Sequence, residues 1–216
     1  MKWANLDTLA VDTVVPAGYR YEQLSRDDIV VLSEKIRSWY PDISVGAAQG
    51  FLKPSFYEDR VYLAGESEKD LIVYVCKKAG AIVSMAALER DPQNATIQGR
   101  LAVVSPLHRR SGIARFGPFI IDQQARAMGI AMAYNRVSLK HLYAQRLVES
   151  AGFELVGILP ASDMEAVAPG IVKHVPEALY AKVYAATSKM FTPKDECMSE
   201  STRQLWHQLF GPGKRT

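Results

Sequence analysis

The residues from Ser105 to Gly117, SPLHRRSGIARFG, bring together groups that hold an oxyanion: two guanidiniums, a hydroxyl and a glycine at the head of a helical pattern. At a helix N-terminus the first backbone N–H groups have no intrahelical partner, and the aligned peptide dipoles place partial positive charge there. Phosphate binds such an end readily. Gly112 and the small Ala114 leave the amides approachable, Arg109, Arg110 and Ser111 add charge and a hydroxyl, and Ile113 opens the inward face of the helix. A solvated basic loop, with Gly112 chosen only for its backbone freedom, is the competing reading. The elements around the turn separate the two.

Those elements follow from hydrophobic period. A short strand runs from Tyr19 to Leu24; Ser25 then caps a helix with Ile29, Leu32, Ile36 and Tyr40 on one face, stopped by Pro41. A second helical segment between Ala47 and Tyr62 is interrupted by Pro54. Three strands follow at 70–78, 81–90 and 95–104, joined by Ala79-Gly80 and by Asp91-Pro92-Gln93-Asn94, so an antiparallel meander is expected. The period then changes to 3.6 over 111–128. A strand (130–138), a helix (140–152), a strand (153–159), a further strand (177–185) and a terminal helix (199–210) complete the order β-α-α-β-β-β-α-β-α-β-β-α. This is mixed α/β (α+β) around a single sheet. The segment from Pro160 to Glu177 reads as a long connecting loop, which favours a functional role.

LAVVSPLHRRSGIA resembles the acetyl-coenzyme A pyrophosphate loop of the GNAT superfamily of N-acetyltransferases, an extended V-x-P segment followed by R/Q-x-x-G-x-G/A, with Arg109, Gly112 and Ala114 in the motif places. The meander before it, and the helix, strand, helix ending in Gly152-Phe153 and two strands after it, stand in the GNAT order over residues 18–186. The resemblance implies a mostly antiparallel sheet splayed between its fourth and fifth strands. It implies acetyl-CoA as cosubstrate, with Val103 and Val104 offering backbone groups to pantetheine, the amides from Arg109 to Ala114 holding the pyrophosphate, and the basic side chains at 108–110 meeting the phosphates.

Acyl transfer from a thioester to an amine needs a neutral amine, a polarised carbonyl and a proton for the departing thiolate. The family's pattern N-x-x-A-x-x-L-Y-x-x-x-G-F supplies that proton from tyrosine. Here Ala144 and Leu147 match, but Val148 stands at the tyrosine place and His141 at the asparagine place. Tyr143 and His141 are therefore the candidate acids, although Tyr143 is five residues from the usual position, roughly 140° away around a helix. Glu89, at the end of a meander strand, is the candidate base, with ordered water as the alternative. His174 and Glu177 are placed to close over the acceptor, and Trp39, Tyr40, Phe51, Phe56 and Tyr57 suggest an aromatic wall.

Composition bounds the rest. With 216 residues, 48% hydrophobic and 23% charged, the chain can bury one good core. An arm (1–17), an acetyltransferase domain (18–186) and a C-terminal extension (187–216) are expected. A net charge of +3, with local basicity only at the turn and at Gly213-Lys214-Arg215, and no aromatic platform beside it, argues against a nucleic-acid partner. Two distant cysteines form neither a metal-ligand pair nor a disulfide framework, so no metal is expected. The opening residues show no leader pattern and no apolar run nears the about 20 residues of a membrane span, so a cytoplasmic protein is expected. Leu205, Trp206, Leu209 and Phe210 form a stripe that needs a cover, on the same subunit or, preferably, in a homodimer. The sequence thus reads as an N-acetyltransferase acting on a small-molecule or protein amine. The alternatives are a CoA-binding GNAT-fold protein without chemistry and an acyltransferase using another acyl donor.

Overall fold

The computed structural model describes residues 1–10 and 15–211; the middle of the arm and the basic C-terminal residues lie outside the described residues. Contacts divide the chain into two compact units, Met1–Tyr184 and Ala185–Thr216. The first contains one eight-stranded sheet: β1 (Arg20–Gln23), β2 (Val61–Tyr62), β3 (Leu71–Lys78), β4 (Ala81–Asp91), β5 (Thr96–Val104), β6 (Met132–Ser138), β7 (Glu154–Ala168) and β8 (Ile171–Val183). Their order is β1-β3-β4-β5-β6-β8-β7, with the two-residue β2 added parallel to β3. Pairing is antiparallel except for β2–β3 and β5–β6.

The period-two run in β3 explains the layering. Ile72, Tyr74 and Cys76 enter a core on one face, while Leu71, Val73 and Val75 enter a second core on the other. Burying a strand on both faces gives such a near-continuous apolar run. The first core is covered by α3 (Phe116–Met128), whose Phe116, Ile120, Ile121 and Ala125 all point inward. The second is covered by α1 (Ile29–Trp39), through Ile29, Leu32 and Ile36, and by Tyr57 of α2 (Pro54–Arg60). Each such aliphatic side chain removed from water contributes about 1.5–3 kcal/mol. The short α4 (Leu142–Ser150) follows β6.

Four local expectations are corrected. Pro54 does not interrupt a helix: it occupies the first turn of α2, where its missing N–H costs nothing, after a separate 3-10 turn at Gln49–Leu52. The helix expected from 111 begins as a 3-10 turn, Ile113–Arg115, and becomes α3 at Phe116. The supposed loop from Pro160 to Glu177 is instead the distal part of the β7–β8 hairpin, turning at Pro169-Gly170. Register shifts along β7 blur its period-two signal. His174 and Glu177 consequently sit on a strand, β8, rather than between strands.

The hairpin reaches the segment after α1. Asp163 Oδ1 accepts from the Ala47 N–H at 2.8 Å, and Lys140 Nζ bridges Asp42 (2.9 Å) and Glu165 (2.6 Å). At the N-terminus, Trp3 is buried against the first core; its indole N–H donates to the Lys69 carbonyl and its backbone N–H to Glu68. In the second unit, α5 (Glu200–Phe210) is capped by Ser199, whose Oγ accepts from the Thr202 N–H. Trp206 and Phe210 contact each other there at 4.8 Å, and Leu205 is exposed.

Candidate active site

β5 and β6 pair over four residues only, Thr96–Gly99 against Met132–Asn135. β5 then continues to Val104 against β4 alone, and β6 continues to Ser138 against β8 alone. Two parallel strands thus part at Gly99 and Asn135, leaving facing edges whose backbone groups have no strand between them. In this chain's numbering these are the fifth and sixth strands, because β2 adds one ahead of the meander. Val103 and Val104 lie on the diverging edge, Val103 with its side chain buried and Val104 half-buried.

The basic turn sits at the open end of this gap. Ser105 leaves the sheet with its N–H bonded to the Val83 carbonyl at 2.9 Å, and a 3-10 turn, Pro106–His108, follows. Arg110 (φ +68°) and Gly112 (φ +91°) are both left-handed, so the chain reverses twice before entering α3. Among the described residues a Cβ at position 112 would meet Pro16 alone, at 3.6 Å; the positive φ is what calls for glycine. Tyr21 holds the turn from below: its phenol donates to the Ile113 carbonyl at 2.6 Å and its ring stacks on Phe116 at 3.5 Å. Burial pushes the Tyr21 phenol far above the usual range, so it remains a donor. Ser111 Oγ donates to the His108 carbonyl at 2.7 Å. The amides of Gly112, Ile113 and Ala114 have no hydrogen-bond partner among the described residues.

The side chains of the turn are partly engaged. The Arg109 guanidinium lies over the Tyr40 ring at 5.4 Å, and both Arg109 and Arg110 are exposed. His108 Nδ1 is 3.0 Å from the Tyr19 hydroxyl, and Lys78 Nζ lies 4.8 Å from the centre of the Tyr19 ring. Sequence reasoning missed Tyr19 and Lys78 as neighbours of the turn. Their only signal is the β1–β3 register, Arg20↔Lys77, which no local pattern encodes.

Below the point of divergence, the α2 face of the sheet carries a groove of about 720 Å³ lined by Arg60, Glu89, Gln98 and Tyr134, among others. Arg100 is the extra residue of a bulge, since Ala87 pairs with Leu101 and Leu88 with Gly99. Arg100 Nη1 donates to Glu89 Oε2 at 2.7 Å, and Arg60 reaches the other oxygen at 3.4 Å. Glu89 therefore reaches the groove, held by two guanidiniums. The Tyr134 phenol donates to Gln98 Oε1 at 3.2 Å.

The other candidates are not gathered there. His141 is the residue before α4 and Tyr143 lies in its first turn; both are exposed, Tyr143 to 62%. Val148 is buried in the first core, so its position faces packing rather than a ligand. Glu177 is buried and bound by Arg136 and by the Ser162 hydroxyl at 2.7 Å, which occupies it structurally, and His174 is exposed on β8. Phe51 and Tyr57 do not form an acceptor wall: both are fully buried, in edge contact with Phe56. No group of three metal-ligating side chains occurs among the described residues, and no described helix is long and apolar enough to cross a membrane.

No protein-family model and no curated protein matches the sequence. Solved structures do match. A mutant form of spermidine N-acetyltransferase from Vibrio cholerae aligns over 78% of this chain and 95% of its own at 13% identity, with a TM-score of 0.61. The ribosomal-protein-S18-alanine N-acetyltransferase of Escherichia coli aligns over 81% and 99% at 12% identity, with a TM-score of 0.57. A structure described as an acetyltransferase of the GNAT family, from Desulfovibrio desulfuricans, aligns over 76% and 98% at 13% identity, with a TM-score of 0.59. Nearly the whole length of each neighbour aligns with this chain, and the fold of this chain is that of the GNAT N-acetyltransferases.

Proposed function

We propose that this protein transfers an acetyl group from acetyl-CoA to a primary amine of a small molecule or protein, by direct attack in a ternary complex. The observation that carries the reading is the coincidence of a parted strand pair with unpartnered amides at Gly112, Ile113 and Ala114. Pantetheine, an extended chain with amide groups, suits the free edge of β5 beyond Gly99. The pyrophosphate suits the turn, where Arg109, Arg110 and Ser111 directly precede the amides and an exposed Arg110 is available to a phosphate. In the reaction the amine nitrogen attacks the thioester carbon, the C–N bond forms, the C–S bond breaks, and the amine's proton leaves as the thiolate gains one. Glu89 is the proposed base, acting directly or through water from the groove. Tyr143, or else His141, is the proposed acid.

A second reading, CoA binding without chemistry, draws on one observation: Val148 occupies a packed core position where the family's pattern has a tyrosine. Thiol release with a panel of amines separates the two. The enzyme reading also takes the protein as cytoplasmic and homodimeric. A reducing compartment suits its two free thiols, of which Cys76 is buried and pushed up to about 11 by desolvation.

Calorimetric titration with acetyl-CoA tests the binding site. Gly112→Asp places a carboxylate against the pyrophosphate position and is expected to weaken binding by several kcal/mol, about a hundredfold or more. Wild-type affinity in a folded Gly112→Asp variant would remove the assignment.

A further inference from the structure

At the point where β5 and β6 part, one polar atom stands apart. Asn135 is 8% exposed, and its Nδ2 is the buried side-chain nitrogen or oxygen without a hydrogen-bond partner among the described residues. Leaving an amide donor unpaired in the interior is disfavoured enough that such groups are rare and call for a reason. The neighbourhood is arranged around this side chain. Asn135 and Gly99 form the last register pair before the gap. A Cβ on residue 99 would fall 2.2 Å from Asn135 Oδ1 and 3.0 Å from Ile121 Cδ1, so the asparagine lies across the strand pair on the α3 face only because residue 99 is glycine. The next residue of β5, Arg100, bulges out of the ladder, and its side chain goes to Glu89, whose other oxygen is bonded by Arg60 of α2. Among the described residues, the interior end of the gap thus holds an unpartnered side-chain donor beside the backbone edges, backed by apolar packing from α3.

We infer that Asn135 is a binding residue for the acyl donor, its amide N–H donating to the carbonyl oxygen of the thioester where the chain reaches the end of the gap between β5 and β6. This rests on the acetyl-CoA reading above. A neutral amide suits a carbonyl better than a charged donor would: it incurs a smaller desolvation cost when the site is empty. In the reaction it faces the oxygen on which negative charge develops during attack by the amine. Asn135 also acts from the face opposite to Glu89, so polarisation of the carbonyl and handling of the amine proton come from different sides of the sheet.

The test compares acetyl-CoA with free CoA, which differ by the acyl group alone, in calorimetric titrations of the full chain. Asn135→Ala is expected to weaken acetyl-CoA binding about tenfold while leaving CoA binding unchanged. Asn135→Ser, a milder change that withdraws the polar group from the gap, is expected to do the same. Gly99→Ala, whose methyl displaces the amide without altering its chemistry, should reproduce the loss of discrimination. Equal weakening of both ligands would mean that the amide meets a pantetheine carbonyl, and would overturn the assignment to the acyl group. Unchanged affinities for both ligands, with a lowered melting temperature, would make Asn135 a structural residue satisfied by water and also overturn it. If the wild-type protein binds neither ligand, the acetyl-CoA reading itself falls, an outcome distinct from failure of the variants alone.

Discussion

Tyr143 and Val148 differ sharply in burial within one short helix. Both belong to α4, yet Val148 is buried in the first core while Tyr143 is 62% exposed in the first turn. An exposed phenol can be truncated without opening a cavity, so Tyr143→Phe should leave the melting temperature within the small range expected of surface changes. If it donates the proton to the leaving thiolate, that substitution lowers turnover by about 10²- to 10⁴-fold. His141→Ala is expected to be the milder change. Stopped-flow thiol release at pH 6 to 9 measures both, and wild-type turnover for Tyr143→Phe would leave His141 or water as the donor. Nearby, at the turn, left-handed Arg110 illustrates the opposite balance. A non-glycine φ of +68° is uncommon, and Arg110 carries it beside the amides that the proposed function assigns to the pyrophosphate.

Among the elements, the first residues of the chain are the least expected contributors. Trp3 is sandwiched into the first core, Arg90 lies 5.3 Å from its ring, and Arg90 in turn binds Glu68 (2.7 Å) and Asp70 (2.9 Å). Desolvation opposes ionisation of Glu68, but the Trp3 N–H and Arg90 outweigh it and hold its carboxyl below the ordinary value. A carboxyl lowered on folding stabilises the protein above its unfolded value, about 4.3, and that contribution fades as pH falls through the lower folded value. Glu68→Gln should therefore destabilise the protein at pH 7, by about 2 kcal/mol from the loss of hydrogen bonds to a charged group. The gap between wild type and variant should close below about pH 4. Urea melts at pH 7 and pH 3 check this, and a gap that persists at pH 3 would show that Glu68 acts through something other than its charge.

At the scale of the whole molecule, two units meet different demands. Met1–Tyr184 holds both cores and the candidate site, whereas Ala185–Thr216 presents α5, with Leu205 exposed and Trp206 and Phe210 in contact with each other. Exposed Leu205 gives α5 an apolar surface that a partner can cover. With the homodimer as the proposed cover, removal of residues 187–216 should halve the mass seen by light scattering while acetyl-CoA affinity stays within about twofold, since the groups proposed to bind the ligand all lie in the first unit. A full chain that already runs as a monomer would refute the dimer.

The sequence by itself determined the elements whose cause is local. The two-sided apolar run of β3, the inward stripes of α1 and α3, and the glycine-bearing basic turn are all set by side-chain period and backbone freedom within a few residues. It also placed the divergence between the right strands, through a motif that resembles a known family. Only the distal part of the β7–β8 hairpin, from Pro160 to Glu177, reads as a loop in the sequence, because register shifts break the period that marks a strand. The surroundings of the site belong to the tertiary structure alone. Tyr19 reaches His108, with Lys78 over the Tyr19 ring, through β1–β3 pairing; Tyr40 reaches Arg109 from the end of α1, and Glu89 meets Arg100 and Arg60 from different elements. Asn135 is the sharpest case. Nothing in its neighbours along the chain marks it, and its unpaired amide becomes visible only when β6 lies beside Gly99, where register, burial and the missing Cβ act together.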